Sequence, residues 1–159
     1  MRKSIYFDVF DGPYWPDPRE LERYFFAPKG LQWSYKGGND NWGLDAEGLY
    51  GTEHRTPTTG RVDVRFHMIG NPDHGVHFAY HKWDGRTRQK FEFSSKGDLR
   101  RLRERVYSLQ GDPVPIGLFV PFPKAYLALK EFIETGGELP KSIEWIAGQD
   151  IPADAFARR

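Results

Sequence analysis

Two runs in the middle of the chain alternate so regularly that they fix which way each side chain must point. Val62, Val64, Phe66 and Met68 interleave with Asp63, Arg65 and His67, and Val76, Phe78 and Tyr80 interleave with His77, Ala79 and His81. A period of two marks a strand with one dry and one wet face. The strands are expected over residues 61–69 and 75–83, joined by Gly70-Asn71-Pro72-Asp73-His74, where every position suits a turn. A slip of one residue would turn the histidines into the core, so burial sets the register. The expected pairing puts Met68 opposite Val76 and Phe66 opposite Phe78, with His67 opposite His77 on the polar face beside Asp63, Arg65 and His81. An Asp84-Gly85 turn leads into a third strand over residues 86–93, which completes an antiparallel meander.

Helical signals lie near both ends. Asp17-Pro18-Arg19-Glu20 has the order of a capping box with proline in the first turn, and Leu21, Tyr24 and Phe25 supply a buried stripe that stops near Pro28-Lys29-Gly30. In the last quarter, Pro123 can open a helix because its missing N–H has no intrahelical partner there. Tyr126, Leu129, Phe132 and Ile133 then share a face, and Gly136 and Gly137 end the helix. A short strand running up to Trp145 is expected to follow. Further strands are expected over residues 4–10, with Ile5, Phe7 and Val9 on one side, over residues 31–35, and over residues 114–120 near an edge because of Pro115. Residues 98–107 suggest a short basic helix with Leu99, Leu102 and Val106 on one side. Residues 37–60 have no period and read as one long loop. The sum is an α+β class: an antiparallel β-sheet meander with helices packed on one face.

Composition narrows the function. A chain of 159 residues suits one domain with its own core. With no cysteine there is no disulfide, no thiolate chemistry and no Cys-based zinc site, a usage that fits a reducing compartment. No apolar run is long enough to span a membrane. The basic Met1-Arg2-Lys3 is followed by a stretch broken at Asp8 and closed by Gly12-Pro13, not by a signal-peptide core. The expected location is therefore the cytoplasm. The net charge of +1 hides a basic segment, residues 82–105, between two mildly acidic ones.

The tail from 122 to 145 resembles the C-terminal signature of immunity proteins from bacterial polymorphic-toxin and contact-dependent growth inhibition systems. In that family a helix ends as Phe, a few residues, Gly, then Pro and Trp; here these are Phe132, Gly136 or Gly137, Pro140 and Trp145. The clear likeness covers residues 118–146, and a fainter one runs from Gly75 through a Lys96-Gly97-Asp98 turn. The resemblance implies one immunity-protein-like domain over residues 1–159. Its partner would be a cognate toxin C-terminal domain, a nuclease or a nucleic-acid deaminase, neutralised by stoichiometric binding without chemistry. No cofactor, no small-molecule substrate and no membrane partner is expected.

His77 and His81 share a strand face but lie roughly 13 Å apart at strand rise, too far to hold one ion. A zinc or catalytic site there is the alternative to a solvated sheet face. Asp8 with Asp11, or Asp40 with Asp45, could be nominated as an acid/base pair, but nothing in the sequence fixes their separation. Residues 82–105 mix Lys and Arg with Trp83, Phe91 and Phe93, which keeps nucleic-acid contact open as a further alternative. Protein recognition fits best. Asp40, Trp42, Asp45 and Glu47 place an aromatic anchor among carboxylates in the long loop, and form the first expected contact surface. The polar face of Asp63, Arg65, His67, His77 and His81 is the second.

Overall fold

A computed structural model describes residues 1–33 and 39–157. The strands are β1 (Arg2–Phe7), β2 (Phe10–Gly12), β3 (Asn41–Glu47), β4 (Val62–Asn71), β5 (Gly75–Asp84), β6 (Gln89–Ser95), β7 (Arg105–Tyr107), β8 (Pro113–Pro115), β9 (Phe119–Val120) and β10 (Trp145–Ala147). The α-helices are α1 (Glu22–Phe26) and α2 (Phe122–Glu134). Among the described residues the main sheet runs β10-β6-β5-β4-β3-β1-β2, with β9 on one end of β5 and β7 paired to β8 apart from it. All pairings are antiparallel. The molecule is broadly α+β, mostly sheet with few helices.

The central hairpin keeps its expected faces in a different register. Met68 faces Phe78 and Phe66 faces Tyr80, two residues from the expected pairing. The strands extend to Asn71 and Gly75, so the turn needs only Pro72, Asp73 and His74. Gly75 closes it at φ 101°, where a Cβ would lie 2.0 Å from the Val120 carbonyl oxygen. A two-residue shift preserves parity, which is why the dry face survives. It does move the histidines: His67 faces Ala79, and His77 faces Ile69.

The dry face is aromatic. Phe66 stacks on Phe78 at 4.9 Å between centroids and on Phe132 of α2 at 4.3 Å. Trp145 packs against Phe66, Phe78 and Tyr80. At the other end Trp42 stacks on Trp33 at 4.4 Å and meets Phe7 and Tyr24, with α1 joined through Phe25 to Tyr126 of α2. These rings are buried against a shared set of aliphatic residues that includes Leu44, Val64 and Leu129.

The expected helix starts and stops hold where local chemistry dictates them. Asp17 caps a single 3-10 turn, Pro18–Leu21, with the reciprocal Glu20 bond in place, and α1 follows with Tyr24 and Phe25 buried. After α2, the Gly136 and Gly137 N–H groups donate to the carbonyls of Ile133 and Phe132, and Tyr80 Oη donates to the Gly137 oxygen at 2.9 Å. The strand at Trp145 begins there instead of ending there. Residues 141 and 142 are held out of it because their N–H groups donate to the Glu131 carboxylate, while Trp145 Nε1 donates to the Pro140 oxygen at 2.7 Å.

Other expectations gave way. β1 stops at Phe7, because Asp8 takes φ 51° and turns the chain into β2; Val9 is exposed. Asp tolerates that region better than most residues, and a two-residue hairpin uses it. The expected loop over residues 37–60 contains β3, in which Trp42, Leu44 and Ala46 point inward between Gly43, Asp45 and Glu47. The expected strand over residues 31–35 is turn and bend through Trp33, and its last two residues lie outside the described ones. Residues 98–107 form one 3-10 turn, Leu99–Arg101, then β7, not a basic helix. That turn packs against Gly117, where a Cβ would sit 2.6 Å from the Asp98 oxygen. The expected strand over residues 114–120 is broken by another 3-10 turn, Ile116–Leu118, into β8 and β9. The third strand of the meander starts at Gln89, after Arg88 turns at φ 56°.

Candidate functional site

Alternation places the polar residues of five strands on the side of the sheet opposite the aromatic core, in cross-strand rows. One row reads Arg2, Glu47, Asp63, Trp83, Lys90, and the next reads Ser4, Asp45, Arg65, His81, Glu92. A third reads Tyr6, Gly43, His67, Ala79, Ser94. With Pro57 and Arg61 from the preceding turn region, the first two rows, apart from Glu92, line an open groove of about 630 Å³.

Most charges in the groove are already matched. Glu47 and Asp63 are direct cross-strand neighbours, an arrangement that like charges disfavour. Arg61 lies between them, its Nε 2.9 Å from Asp63 Oδ1 and its Nη2 3.7 Å from Glu47 Oε1. Arg2 adds a second contact to Glu47 at 2.9 Å. The Asp63 carboxylate in turn holds the Arg61 guanidinium above its ordinary pKa. At the far side Glu92 pairs with Lys90 at 2.7 Å and lies 3.7 Å from His81 Nδ1. Partial burial lowers the His81 pKa, a shift that Glu92 opposes.

Two groups stand outside this pairing. Asp45 Oδ1 is buried and accepts no hydrogen bond, with His67 Nε2 3.6 Å away. The His67 ring can lie there because residue 43 is glycine; a Cβ would come within 2.8 Å of His67 Cδ2. The Arg65 side chain is exposed and has neither an ion pair nor a hydrogen bond among the described residues.

The structure thus joins Asp45 and Glu47 from the first expected surface with Asp63, Arg65, His67 and His81 from the second. Three expected residues fall elsewhere. Trp42 is 2% exposed and cannot serve as a surface anchor, because β3 parity turns it into the core. His77 is 6% exposed, covered by Phe119 and Phe156, with Nε2 3.3 Å from Ser94 Oγ. Burial, with a smaller contribution from His81, pushes its pKa down to about 4, so the ring is neutral. Asp40 precedes β3, and its Oδ2 accepts from the Leu109 N–H at 2.7 Å, tying down the 108–112 turn.

Arg2, Ser4 and Arg61 also line the groove without having been expected there, and so do Trp83 and Lys90, which the sequence placed only in the alternative of a nucleic-acid contact. The signal was present for Trp83, two residues beyond His81 on the same strand face. For Arg2 it was hidden by starting the first strand at residue 4, whereas Ser4 lay inside that strand with parity opposite to Ile5. Among the described residues no three His or carboxylate groups lie where they could share a metal ion. In the basic segment Arg86 pairs with Asp84, Arg100 with Asp98 and Arg101 with Glu104, while Arg105 donates to the carbonyls of Asp154 and Ala155.

A family model described as Immunity protein Imm1 matches residues 46–147, more than half of the chain. The chain belongs to the Imm1 family. Immunity proteins act on toxins, so membership implies a toxin protein as partner and suggests a binding role instead of a catalytic one. The match takes in β4 to β6, α2 and the signature of Phe132, Gly136 or Gly137, Pro140 and Trp145, along with Glu47, Asp63, Arg65 and His81 of the groove and His67 in the row beside it. No curated protein and no solved structure matches. No helix among the described residues is long and apolar enough to cross a membrane.

Proposed function

We propose that this Imm1 protein neutralises a cognate toxin C-terminal domain, a nuclease or nucleic-acid deaminase, in the cytoplasm of the producing cell. It would do so by stoichiometric occlusion of the toxin's active site, with residues 1–159 acting as one domain. The contact surface is the polar sheet face: Asp45, Glu47, Asp63, Arg65, His67 and His81, with Arg2, Ser4, Trp83 and Lys90 at its margins. The observation that carries this choice is that one side of the sheet is packed against aromatic rings while the other is an open groove of ordered, mostly paired charges. Side chains held by cross-strand neighbours lose little freedom on binding, which favours a stable complex. Fixed charges of both signs favour a single partner over many.

The test is co-expression of the chain with the toxin domain encoded beside it. A 1:1 complex that survives moderate salt, and cells that outlive toxin induction, support the reading. Association with bulk nucleic acid that falls steeply with salt would instead support phosphate contact by the basic segment.

A further inference from the structure

We propose that Arg65 is the specificity anchor of this surface and that it receives a carboxylate side chain of the toxin domain. The inference rests on the reading that the polar sheet face is the contact surface.

Arg65 sits on β4, in the interior of the sheet, in a row with Asp45 on one side and His81 on the other. The groove's other arginines are engaged: Arg2 with Glu47, and Arg61 with Glu47 and Asp63. Lys90 is held by Glu92, and Lys82 by Tyr50 and Glu138. A partner that recruited any of these would first have to break an existing pair. Arg65 carries no such cost, since its side chain forms no ion pair or hydrogen bond among the described residues. Its planar fork of donors matches one carboxylate in a two-point contact, and at the middle of a groove closed to water such a contact is strong.

The surroundings decide which anion. Asp45, Glu47 and Asp63 lie beside Arg65 in the same and the adjoining row. A run of phosphodiesters would set several negative charges against these acids, whereas a single carboxylate sets one, which the two-point contact with Arg65 offsets. The recognised feature is thus an Asp or Glu on a toxin loop narrow enough for a cleft of about 630 Å³.

The experiment compares full-length variants for binding to the toxin domain and for rescue of toxin-poisoned cells. Ser4→Trp fills the groove from an exposed strand position and tests the surface alone. Arg65→Ala should weaken the complex by roughly thirtyfold or more, as removal of a central hot-spot side chain does, with an unchanged melting curve. Arg65→Lys should recover part of it. Arg65→Glu should abolish binding, and one Asp→Lys or Glu→Lys change in the toxin should restore it. If Ser4→Trp abolishes binding but Arg65→Ala does not, the surface stands and the anchor is overturned. If Ser4→Trp is harmless, the surface reading itself fails. If no toxin charge reversal rescues Arg65→Glu, or if Arg65→Ala releases a labelled oligonucleotide, the carboxylate assignment is overturned.

Discussion

The two faces of one sheet, built from the same strands, hold themselves together in opposite ways. Inside, Phe66, Phe78, Phe132 and Trp145 stack on one another and depend on shape. Outside, Arg61, Glu47 and Asp63, then Lys90 and Glu92, depend on charge at positions water can reach. Ring burial is insensitive to salt and intolerant of lost volume, while exposed pairs contribute little each and are screened. Adjacent residues on β4 should therefore respond to mutation very differently. Phe66→Ala tests the inner face at its most crowded point and should cost about 3–5 kcal/mol in denaturant unfolding. A cost below about 1 kcal/mol would mean the stack around Phe132 is not the centre of stability.

His77 blurs the division, because its parity is outward while Phe119 and Phe156 bury it. Its neighbours are Ser94, Ile69 across the strand pair, and His81, whose charge adds to the burial effect. The folded-state pKa of about 4 lies below the unfolded value of 6.5, so the unfolded chain takes up the proton first. The resulting stability is fully present above pH 6.5, is lost as pH falls toward 4, and changes no further below that. The total is at most about 3 kcal/mol, given 1.36 kcal/mol per pKa unit. Measuring urea midpoints at pH 4.5 and 7 should show this slope in the wild type and a shallower one in His77→Asn. Equal slopes would place the ring in water.

The inner face was far easier to read from sequence than the outer site. Alternation in β4 and β5 is carried by large apolar residues, so the dry face was legible even with the register two residues off. The Asp17 box and the Gly136-Gly137 stop are local chemistry and needed no tertiary context. β3 escaped because Gly43 and Ala46 are poor strand formers, and its alternation becomes visible only beside β1 and β4. Its loss from the reading made Trp42 look like a loop anchor. Site residues suffered most, since a polar face is a union of strands: Asp45 and Glu47 meet Asp63 and Arg65 only through pairing between β3 and β4. His77 shows the converse, a polar residue with outward parity that a distant C-terminal segment covers.

Within the outer face, Arg61 is the place where charge should matter most to folding. It separates two carboxylates that the β3 and β4 register forces side by side. Arg61→Ala leaves Glu47 and Asp63 opposed, with the Arg2 contact to Glu47 as the remaining ion pair. The loss should be about 1 kcal/mol at low salt and should shrink in 1 M NaCl, where the Debye length falls to about 3 Å. A loss that does not respond to salt would assign the effect to packing of the arginine stem against the Pro57 turn instead.

The smallest expected effect on stability belongs to Arg65, one residue from the largest. It is exposed and unpaired, so Arg65→Ala should change the unfolding free energy by less than about 0.5 kcal/mol, as surface substitutions away from special features do. Two positions in immediate succession on one strand would then separate folding from recognition: Phe66→Ala strongly destabilises the protein, while Arg65→Ala leaves its stability intact and weakens its hold on the toxin. The measurement is a paired one, denaturant midpoint against complex affinity, for each variant. If Arg65→Ala destabilised the isolated chain as much as it weakened the complex, Arg65 would be part of the scaffold, and the outer face would have no side chain reserved for a partner.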